Sequence, residues 1–255
     1  MKLNEHIAIS TPSLLLVPYE AHHVPTYHQW MQDPEIQSAT ASEPLTLEEE
    51  YENQLSWRTS TDKLTFIICS PLPSSPSPTA DIAAVVPDDA DTPGKMLGDV
   101  NLFLYPYEEE EDEEEFSDGP VPRGVVGEVD IMIADKQNRG RGLGEEVVRA
   151  FVGWVWGCRG EVVGEYLSDK LVDGKEGGEG GRVVVPELRM LMVKIGEGNE
   201  ASLRLFRDKL GWEQEGGRNY FGEVKFVLRD VGGWVERGKK ERGEVVRYER
   251  GGGKV

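Results

Sequence analysis

The chain has 255 residues and a formal net charge of −19, and 38% of its residues are hydrophobic. This length fits one large domain or two small ones, and this hydrophobic content is enough to bury a core. The negative charge argues against general nucleic-acid binding, because contacts to phosphate supply most of that affinity, and it favours basic or neutral acceptors. No run of about 18 apolar residues indicates a membrane span. We therefore expect neither nucleic acid nor a membrane as a partner.

Cysteine usage and the first residues of the chain bear on its compartment. The only two cysteines are Cys69 and Cys158, which argues against a disulfide framework. The first residues, MKLNEHIAIS, contain no long apolar stretch and no small-residue cleavage pattern of a signal peptide. The sequence thus predicts a reducing compartment and a cytoplasmic location.

The first part of the chain predicts a strand followed by two helices. SLLLVPY, residues 13–19, has the pattern of a buried strand. A helix in HVPTYHQWMQDPEI should stop near Asp33, because Pro34 disfavours helical geometry in the residue before it. In PLTLEEEYENQLSWRTS, Thr46 and Glu49 have the spacing of a capping box. The apolar residues on one face of this second helix are Leu47, Tyr51 and Leu55.

The remaining elements alternate, with three segments of biased composition between them. Strands are predicted at KLTFIICS, MLGDVNLFLY, VVGEVDIMIA, ELRMLMVKI and NYFGEVKFVLRDV, the last being one strand or a pair. Helices are predicted at EEVVRAFVGWVWG and NEASLRLFRDKLGW. We interpret residues near 71–95, 107–122 and 159–181 as low-complexity insertions. Residues 1–235 then form one mixed α/β domain, and 236–255 form a charged tail that is poorly ordered or a short appended element.

The loop NRGRGLGEE, residues 138–146, joins a predicted strand to a predicted helix and has the composition of a pyrophosphate site. N–H groups at a helix start are unpaired, and the helix dipole adds about half a positive charge there. Glycines let a phosphate approach the main chain, and Arg139 and Arg141 add charge. Glu145 follows Gly144 where a P-loop needs lysine. The glycine spacing excludes a Rossmann fingerprint, and the tract is too short for an arginine-glycine RNA-binding segment.

The remaining pattern, R-x-x-G-x-G behind a strand, resembles the acyl-CoA-binding motif of the GCN5-related N-acetyltransferase family. Its residues are Arg139, Gly142 and Gly144. A second family motif, N-x-x-[SA]-x-x-x-[YF], is matched by Asn199, Ser202 and Phe206. The spacing from Phe206 to Gly211 is one residue longer than in that family. The front of the chain, with DKLTFII, GDVNLF, GEVDIMIA and KIGEGNEASLRLF, looks like the eukaryotic N-acetyltransferase 9-like group.

This resemblance implies a fold and an activity. The fold is a mixed, strongly twisted sheet with flanking helices, in which two central parallel strands splay apart, here Glu128–Ile133 and Leu188–Ile195. The activity is acetyl transfer from acetyl-CoA to a protein or peptide amine, either an N-terminal α-amine or a lysine, and tubulin is the proposed substrate in that group. Because neither cysteine lies on a motif, we expect direct transfer in a ternary complex. The four histidines have no metal-ligand spacing, so no metal is predicted.

The resemblance also implies which residues bind acetyl-CoA. Main-chain groups near Met132 and Ile133 would pair with the pantetheine arm, and one amide there would polarise the thioester carbonyl. Asn199 would contact the pantetheine, and a plain helix cap is its alternative role. Ser202 and Phe206 belong to the second motif. The residues that would hold the pyrophosphate are Gln137, Asn138, Arg139, Gly140, Arg141, Gly142, Leu143 and Gly144.

Catalysis needs a group that removes a proton from the amine. Strand alternation places Glu128, Asp130 and Met132 on one face, and two carboxylates on a central strand are unusual unless that face lines a cleft. We expect Glu128 to be the general base, directly or through a water, with Asp130 second. Recognition of a cationic substrate and a solvated strand end are the alternatives. Many relatives protonate the thiolate from a tyrosine near the position of Phe206, and Tyr220 or solvent would replace it here.

A second interpretation treats the chain as a non-catalytic acyl-CoA-binding or microtubule-associated interaction module. It rests on the unbroken acidic run Glu108–Glu115, whose like charges repel each other into an extended, solvated segment. This run is either a loop without a partner or a docking site for a basic one.

Overall fold

The computed structural model describes residues 1–73, 84–107, 124–172, 186–238 and 243–249, and within these ranges nine strands form one open sheet. The strands are β1 (Ile7–Ser10), β2 (Leu15–Pro18), β3 (Lys63–Cys69), β4 (Met96–Pro106), β5 (Gly124–Ile133), β6 (Glu187–Gly196), β7 (Glu213–Glu215), β8 (Glu223–Leu228) and β9 (Glu244–Arg247). Their order in the sheet is β7-β8-β6-β5-β4-β3-β2-β1-β9. The central pair β5 and β6 is parallel, and its neighbours on both sides are antiparallel.

Helices cover both faces of this sheet, which confirms the mixed α/β class. They are α1 (Val24–Trp30), α2 (Pro34–Thr40), α3 (Leu47–Thr59), α4 (Leu143–Gly157), α5 (Arg159–Val172), α6 (Glu200–Arg204) and α7 (Val231–Arg237). A π-helical turn, Leu205–Lys209, continues α6. In the part of the chain that the structure describes, no helix has both the length and the apolar character that crossing a membrane requires.

The larger core lies between the sheet and α4. The α4 residues that recur at helical spacing, Val147, Val148, Phe151 and Val155, are all buried. Phe66 of β3 packs edge-on against Phe151, with 6.0 Å between the ring centroids. The opposite face carries a smaller cluster that includes Tyr27 of α1 and Met132 of β5. Because strand residues alternate between the faces, β3, β4 and β5 each contribute to both clusters.

Helix α3 begins as predicted, but the face that it buries lies beside the apolar stripe and not on it. Its capping box between Thr46 and Glu49 is present. Glu50 and Gln54 are buried, and the Gln54 side-chain amide donates to the carbonyl of Tyr19 at 2.9 Å. The apolar side chains that recur on one face are exposed instead: Leu47, Tyr51 and Leu55. The cap and the buried amide contact set the rotation of the helix, so its apolar stripe faces solvent.

Several elements differ from the sequence prediction. The first helix ends at Trp30, shortly before Asp33, but Pro34 then opens a helix that was not predicted, α2. The Asp33 carboxylate is its N-cap and accepts from the Glu35 N–H at 2.9 Å. The predicted insertion at 159–181 starts with helix α5, so a loop was wrong over Arg159–Val172. This helix has an apolar face that fills the core, comprising Val162, Val163, Tyr166 and Leu167.

The charged tail and the first predicted insertion both contribute to the packed structure. β9 pairs with β1, which the sequence analysis missed, and Tyr248 just after β9 is fully buried. The Tyr248 hydroxyl donates to Asp91 at 2.7 Å. A poorly ordered tail was therefore wrong for residues 243–249, and a short appended element is what forms. The acidic run, residues 74–83 and residues 173–181 lie outside the described residues.

Candidate active site

The parallel strands β5 and β6 separate part-way along their length. Their pairing ends at Glu128 and Met192, although β5 continues to Ile133 and β6 to Gly196. On its other side β5 stays paired with β4 as far as Ile133, so only the edge that faces β6 is open. Main-chain groups near Met132 and Ile133 therefore lack a strand partner on that edge. The predicted splayed pair is confirmed, and the opening is called the gap below.

The loop after β5 reaches α4 through two glycines with left-handed backbone. Gly140 has a φ of 72°, and Gly142, the N-cap of α4, has a φ of 87°. Residues with a side chain rarely adopt this conformation. A Cβ on either glycine would have no atom within 4 Å, so the space in front of the helix start is open. Unpaired first-turn N–H groups and the helix dipole face this space, which fits a phosphate.

The acidic residues at the start of α4 would repel an anion, but both are engaged elsewhere. Glu145 accepts two hydrogen bonds from Arg149, at 3.0 and 3.1 Å. Glu146 accepts from the Thr11 hydroxyl at 2.5 Å. These contacts direct each carboxylate to a protein partner, so the positive end of the helix is left for a ligand.

The motif arginine anchors the loop instead of facing the helix start. Arg139 Nε donates to the carbonyl of Ile133 at 2.8 Å, and a second guanidinium nitrogen lies 3.4 Å from the carbonyl of Ala134. These bonds hold the end of β5 and the loop together. Gly144 serves packing, because a Cβ there would come within 3.1 Å of the Leu205 side chain.

Hydrogen bonds also fix the turn that precedes the glycines. The Asp135 carboxylate accepts from the Gln137 N–H at 2.9 Å and from the Asn138 amide at 2.6 Å. Arg141 donates to Asn138 Oδ1 at 3.1 Å. The predicted loop residues are thus brought together in one turn, and their side chains bond to one another, to Asp135 and to the carbonyls at the end of β5.

Glu128, the carboxylate predicted first as general base, is paired with a lysine. Glu128 is buried, and its carboxylate lies 2.8 Å from Lys194 Nζ on β6. Burial alone would lower the pKa of Lys194, but the hydrogen bond and charge of Glu128 raise it above its ordinary value. The pair crosses the point where the strands separate, and it keeps the carboxylate of Glu128 bonded to a cation.

Asp130 lies beyond that ion pair, on the same face of β5. Asp130 is exposed to solvent, and partial desolvation by the surrounding protein raises its pKa to about 7. The negative charges of Glu128 and Asp99 raise the pKa further in the same direction. A carboxyl group with this pKa is present in both protonation states near neutral pH, which suits a general base.

Beside Asp130, strand β4 carries a buried polar pair that the sequence analysis did not use. Asp99 is buried, and desolvation raises its pKa to about 6. Asn101 donates to the Asp99 carboxylate at 2.8 Å, and the Tyr27 hydroxyl lies 3.4 Å from it. The signal was available in GDVNLF, where the two polar residues alternate with apolar ones and so share a face.

Comparison with known proteins assigns the chain to a family. A model of the Acetyltransferase (GNAT) domain matches residues 13–213. The chain belongs to the GNAT acetyltransferase family. An N-acetyltransferase 9-like protein of Caenorhabditis briggsae is 36% identical over 228 residues, which cover 89% of this chain and 88% of that protein. The Homo sapiens alpha/beta-tubulin-N-acetyltransferase 9 is 34% identical over 229 residues, covering 89% and 86%.

Solved structures agree at the level of the fold. Aminoglycoside acetyltransferase AAC(6')-Ib, solved in complex with coenzyme A, has a TM-score of 0.52 at 16% identity, covering 89% of this chain and 99% of its own. The relatives at 34–36% identity confirm the resemblance to the N-acetyltransferase 9-like group. The chain is an enzyme, an N-acetyltransferase of the GNAT family.

The second motif of this GNAT acetyltransferase forms a helix cap. Asn199 is the N-cap of α6, and its Oδ1 accepts from the N–H of Ser202 at 3.1 Å. The bond uses only the oxygen of the amide, so the cap and a contact to pantetheine are compatible.

A π-helical turn explains the longer spacing after Phe206 in this GNAT acetyltransferase. The N–H of Leu210 donates to the carbonyl of Leu205 at 2.9 Å, so the turn holds one residue more than an α-helical turn. Phe206 itself is buried, with its ring centroid 5.0 Å from that of Trp212. The Phe206 ring therefore belongs to the core, and the place of this residue among those that bind the cofactor stays a prediction.

Tyr220 lies on an ordered hairpin between β7 and β8. Its side chain is 96% exposed, and its ring packs edge-on against Phe221. Asn219 accepts from the N–H groups of Phe221 and Glu223, at 3.0 and 2.9 Å, which closes the loop. The hairpin adjoins the end of β6 through the hydrogen bond from the Glu197 N–H to the carbonyl of Gly222 at 3.0 Å.

A cluster with metal-ligand chemistry lies apart from the gap. His22, His23 and Asp91 offer ligand atoms within 4.8 Å of one another. His23 Nδ1 accepts from the Glu20 N–H at 3.0 Å, so His23 Nε2 carries the proton that Asp91 accepts. Burial alone would raise the pKa of Asp91, but hydrogen bonds from both histidines and Tyr248 hold it well below its usual range. This protonation favours a hydrogen-bonded structural cluster over a metal site.

Proposed function

We propose that this GNAT acetyltransferase moves the acetyl group of acetyl-CoA to an amine of a protein, by direct transfer in a ternary complex. Asp130 carries the proposal. Its carboxyl group is open to solvent on the face of β5 where the gap begins, and its pKa is about 7. A base with that pKa can accept the proton that an ammonium group must lose before it attacks a thioester.

The donor would bind across the glycine loop and the gap. The N–H groups of Gly142, Leu143 and Gly144 would hold the pyrophosphate, since they open α4 and face free space. The pantetheine arm would extend along the unpaired edge of β5 at Met132 and Ile133. An amide on this edge would stabilise the oxyanion of the thioester carbonyl.

The proton transfers follow from the charges around the gap. Asp130 takes a proton from the acceptor ammonium, and the neutral amine attacks the thioester carbonyl. The new C–N bond forms, the C–S bond breaks, and CoA leaves as a thiolate that takes a proton from water or from Tyr220. Glu128 would hold its ion pair with Lys194 throughout. We therefore place Asp130 first and Glu128 second as the proposed general base, the reverse of the order expected from the sequence.

Neither cysteine supports a covalent acetyl-enzyme. Cys69 is buried in β3. Burial raises the pKa of the Cys158 thiol to about 12, and its Sγ donates to the carbonyl of Trp154 at 3.2 Å. Because the thiolate is the nucleophilic form, both side chains are inert at neutral pH, which supports direct transfer.

The acceptor is proposed from the relatives together with the charge of the cleft. Human and Drosophila melanogaster relatives are named alpha/beta-tubulin-N-acetyltransferase 9, so tubulin is the first acceptor to test. Glu128, Asp130 and Asp99 make the cleft acidic, which suits an ammonium group of an N-terminal residue or of a lysine.

The test is acetylation of purified αβ-tubulin and of a peptide library by the full chain with isotope-labelled acetyl-CoA. Mass spectrometry of the products identifies the acceptor and distinguishes α-amine from lysine. We expect label on an amine of at least one acceptor, and loss of that label with Asp130→Asn. If acetyl-CoA raises the melting temperature but no acceptor is labelled, the transferase proposal fails and a binding module is favoured.

A further inference from the structure

The side-chain amide of Asn101 is held in one orientation next to the proposed base. Its nitrogen donates to the Asp99 carboxylate at 2.8 Å, so its oxygen must point elsewhere. This oxygen, Oδ1, is buried and has no hydrogen-bond partner among the described residues. A buried carbonyl without a hydrogen-bond donor is unfavourable, so a partner that donates to it only during part of the reaction would explain it.

The strand register identifies that partner. Asn101 of β4 lies directly opposite Asp130 of β5. Directly opposed residues of antiparallel strands have Cβ atoms about 4.5–5.5 Å apart and project from the same face. Ionised Asp130 has no proton to donate, whereas protonated Asp130 has an O–H group that can reach an acceptor.

We propose that Asn101 is a positioning residue for the base: its Oδ1 accepts the O–H of protonated Asp130, and Asp99 fixes the amide in the orientation that makes this bond. The inference rests on the proposed role of Asp130 in the reaction. It gives a function to the buried pair of Asp99 and Asn101. Without such a function, the burial of the Asp99 carboxyl group has no explanation. Asp99 acts only through Asn101 and the electrostatic field.

The proton balance is simple. A proton leaves the acceptor ammonium, forms an O–H bond on Asp130, and is shared in a hydrogen bond with Asn101 Oδ1 until water removes it. The bond stabilises the protonated form of Asp130, so the side chain becomes a stronger base. The charged and titratable groups around Asp130 are Glu128 on β5, Asp99 and Tyr105 on β4, Lys194 on β6, Glu223 on β8 and Tyr27 on α1.

The test replaces the amide by a side chain of similar shape. Asn101→Leu removes Oδ1, and Asn101→Ser serves if the leucine variant does not fold. Thr65→Val is the matched control: Thr65 of β3 is opposite Asn101 on the other side, and it is also a buried polar residue. The readout is a carbon NMR titration of the Asp130 carboxyl in the full chain, assigned with Asp130→Asn, which requires no substrate.

We expect Asn101→Leu or Asn101→Ser to lower the pKa of Asp130 by roughly one unit, and Thr65→Val to leave it unchanged. The acidic limb of the kcat/KM profile should move by the same amount. An unaltered Asp130 titration in the Asn101 variants, or an equal shift in Thr65→Val, overturns the inference. Full activity of Asp130→Asn would instead overturn the proposed function, so the two failures are distinguishable.

Discussion

Asp130→Asn should abolish most of the activity and yet stabilise the protein at alkaline pH. With a pKa of about 7, about one-tenth of Asp130 is ionised at pH 6 and about nine-tenths at pH 8, so wild-type kcat/KM should rise about tenfold between them. Loss of a general base lowers the rate by about 100- to 10,000-fold. Asp130→Asn should therefore be slower by that factor at pH 8, and its rate should lose the pH dependence.

The effect on stability follows from the direction of the same pKa. Asp130 binds its proton more tightly in the folded chain than in the unfolded chain, where the pKa is about 3.9. The stability therefore falls as the pH rises from about 4 to about 7. Asparagine removes the charge, so Asp130→Asn should raise the melting temperature at pH 8 and leave it nearly unchanged at pH 4.

Glu128→Gln provides the control on the same face of the same strand. This variant removes a charge that raises the pKa of Asp130, so its acidic limb should move to lower pH while most activity at pH 8 remains. It also leaves Lys194 without its carboxylate, so the melting temperature should fall. Stopped assays over pH 5–9 and thermal unfolding measure these quantities. Wild-type activity in Asp130→Asn, or a larger loss of activity in Glu128→Gln, would refute the assignment.

Three further substitutions test the other parts of the structure. Acetyl-CoA at about 100 times its Kd should stabilise the wild type by about 2.7 kcal/mol, which thermal unfolding detects as a higher melting temperature. Gly142→Trp should abolish this rise, and Gly157→Trp at the other end of α4 should leave it intact. In urea unfolding, Asp91→Asn should cost about 3–5 kcal/mol, because it leaves a buried network without its anion, whereas Asp88→Asn at an exposed site should cost less than about 1 kcal/mol. Phe206→Tyr should lower stability by about 1–3 kcal/mol and leave kcat no higher, since its hydroxyl would enter the core.

Local patterns predicted those elements whose burial depends on their own sequence. The apolar face of α4 and the alternation along β5 place the same residues in the core that the structure does. α3 was different, since its rotation depends on a contact between Gln54 and the carbonyl of Tyr19 on another segment. β9 is short and charged, and it forms because β1 offers it an edge of the sheet. Such long-range pairing leaves little trace in either sequence alone.

The glycine loop could be predicted because its conformation, like the burial of α4, depends on its own residues. Left-handed backbone at Gly140 and Gly142 is a local demand that the sequence meets with glycine. The direction of the Arg139 side chain is not local in this sense. It is set by the free carbonyls at the end of β5, which become available only once the strand is paired with β4 and open towards β6.

The sequence alone could not decide which of the two carboxylates is preferred as the general base. Glu128 and Asp130 are two residues apart on one face, and nothing in GEVDIMIA ranks them. The ranking comes from Lys194, which the sheet register brings beside Glu128 from 66 positions along the chain. Because Lys194 pairs with Glu128, Asp130 has no ion pair of its own among the described residues. Desolvation and the negative charges of its neighbours therefore raise its pKa. The near-neutral pKa of Asp130, on which its proposed role as base rests, thus depends on the lysine that pairs with Glu128.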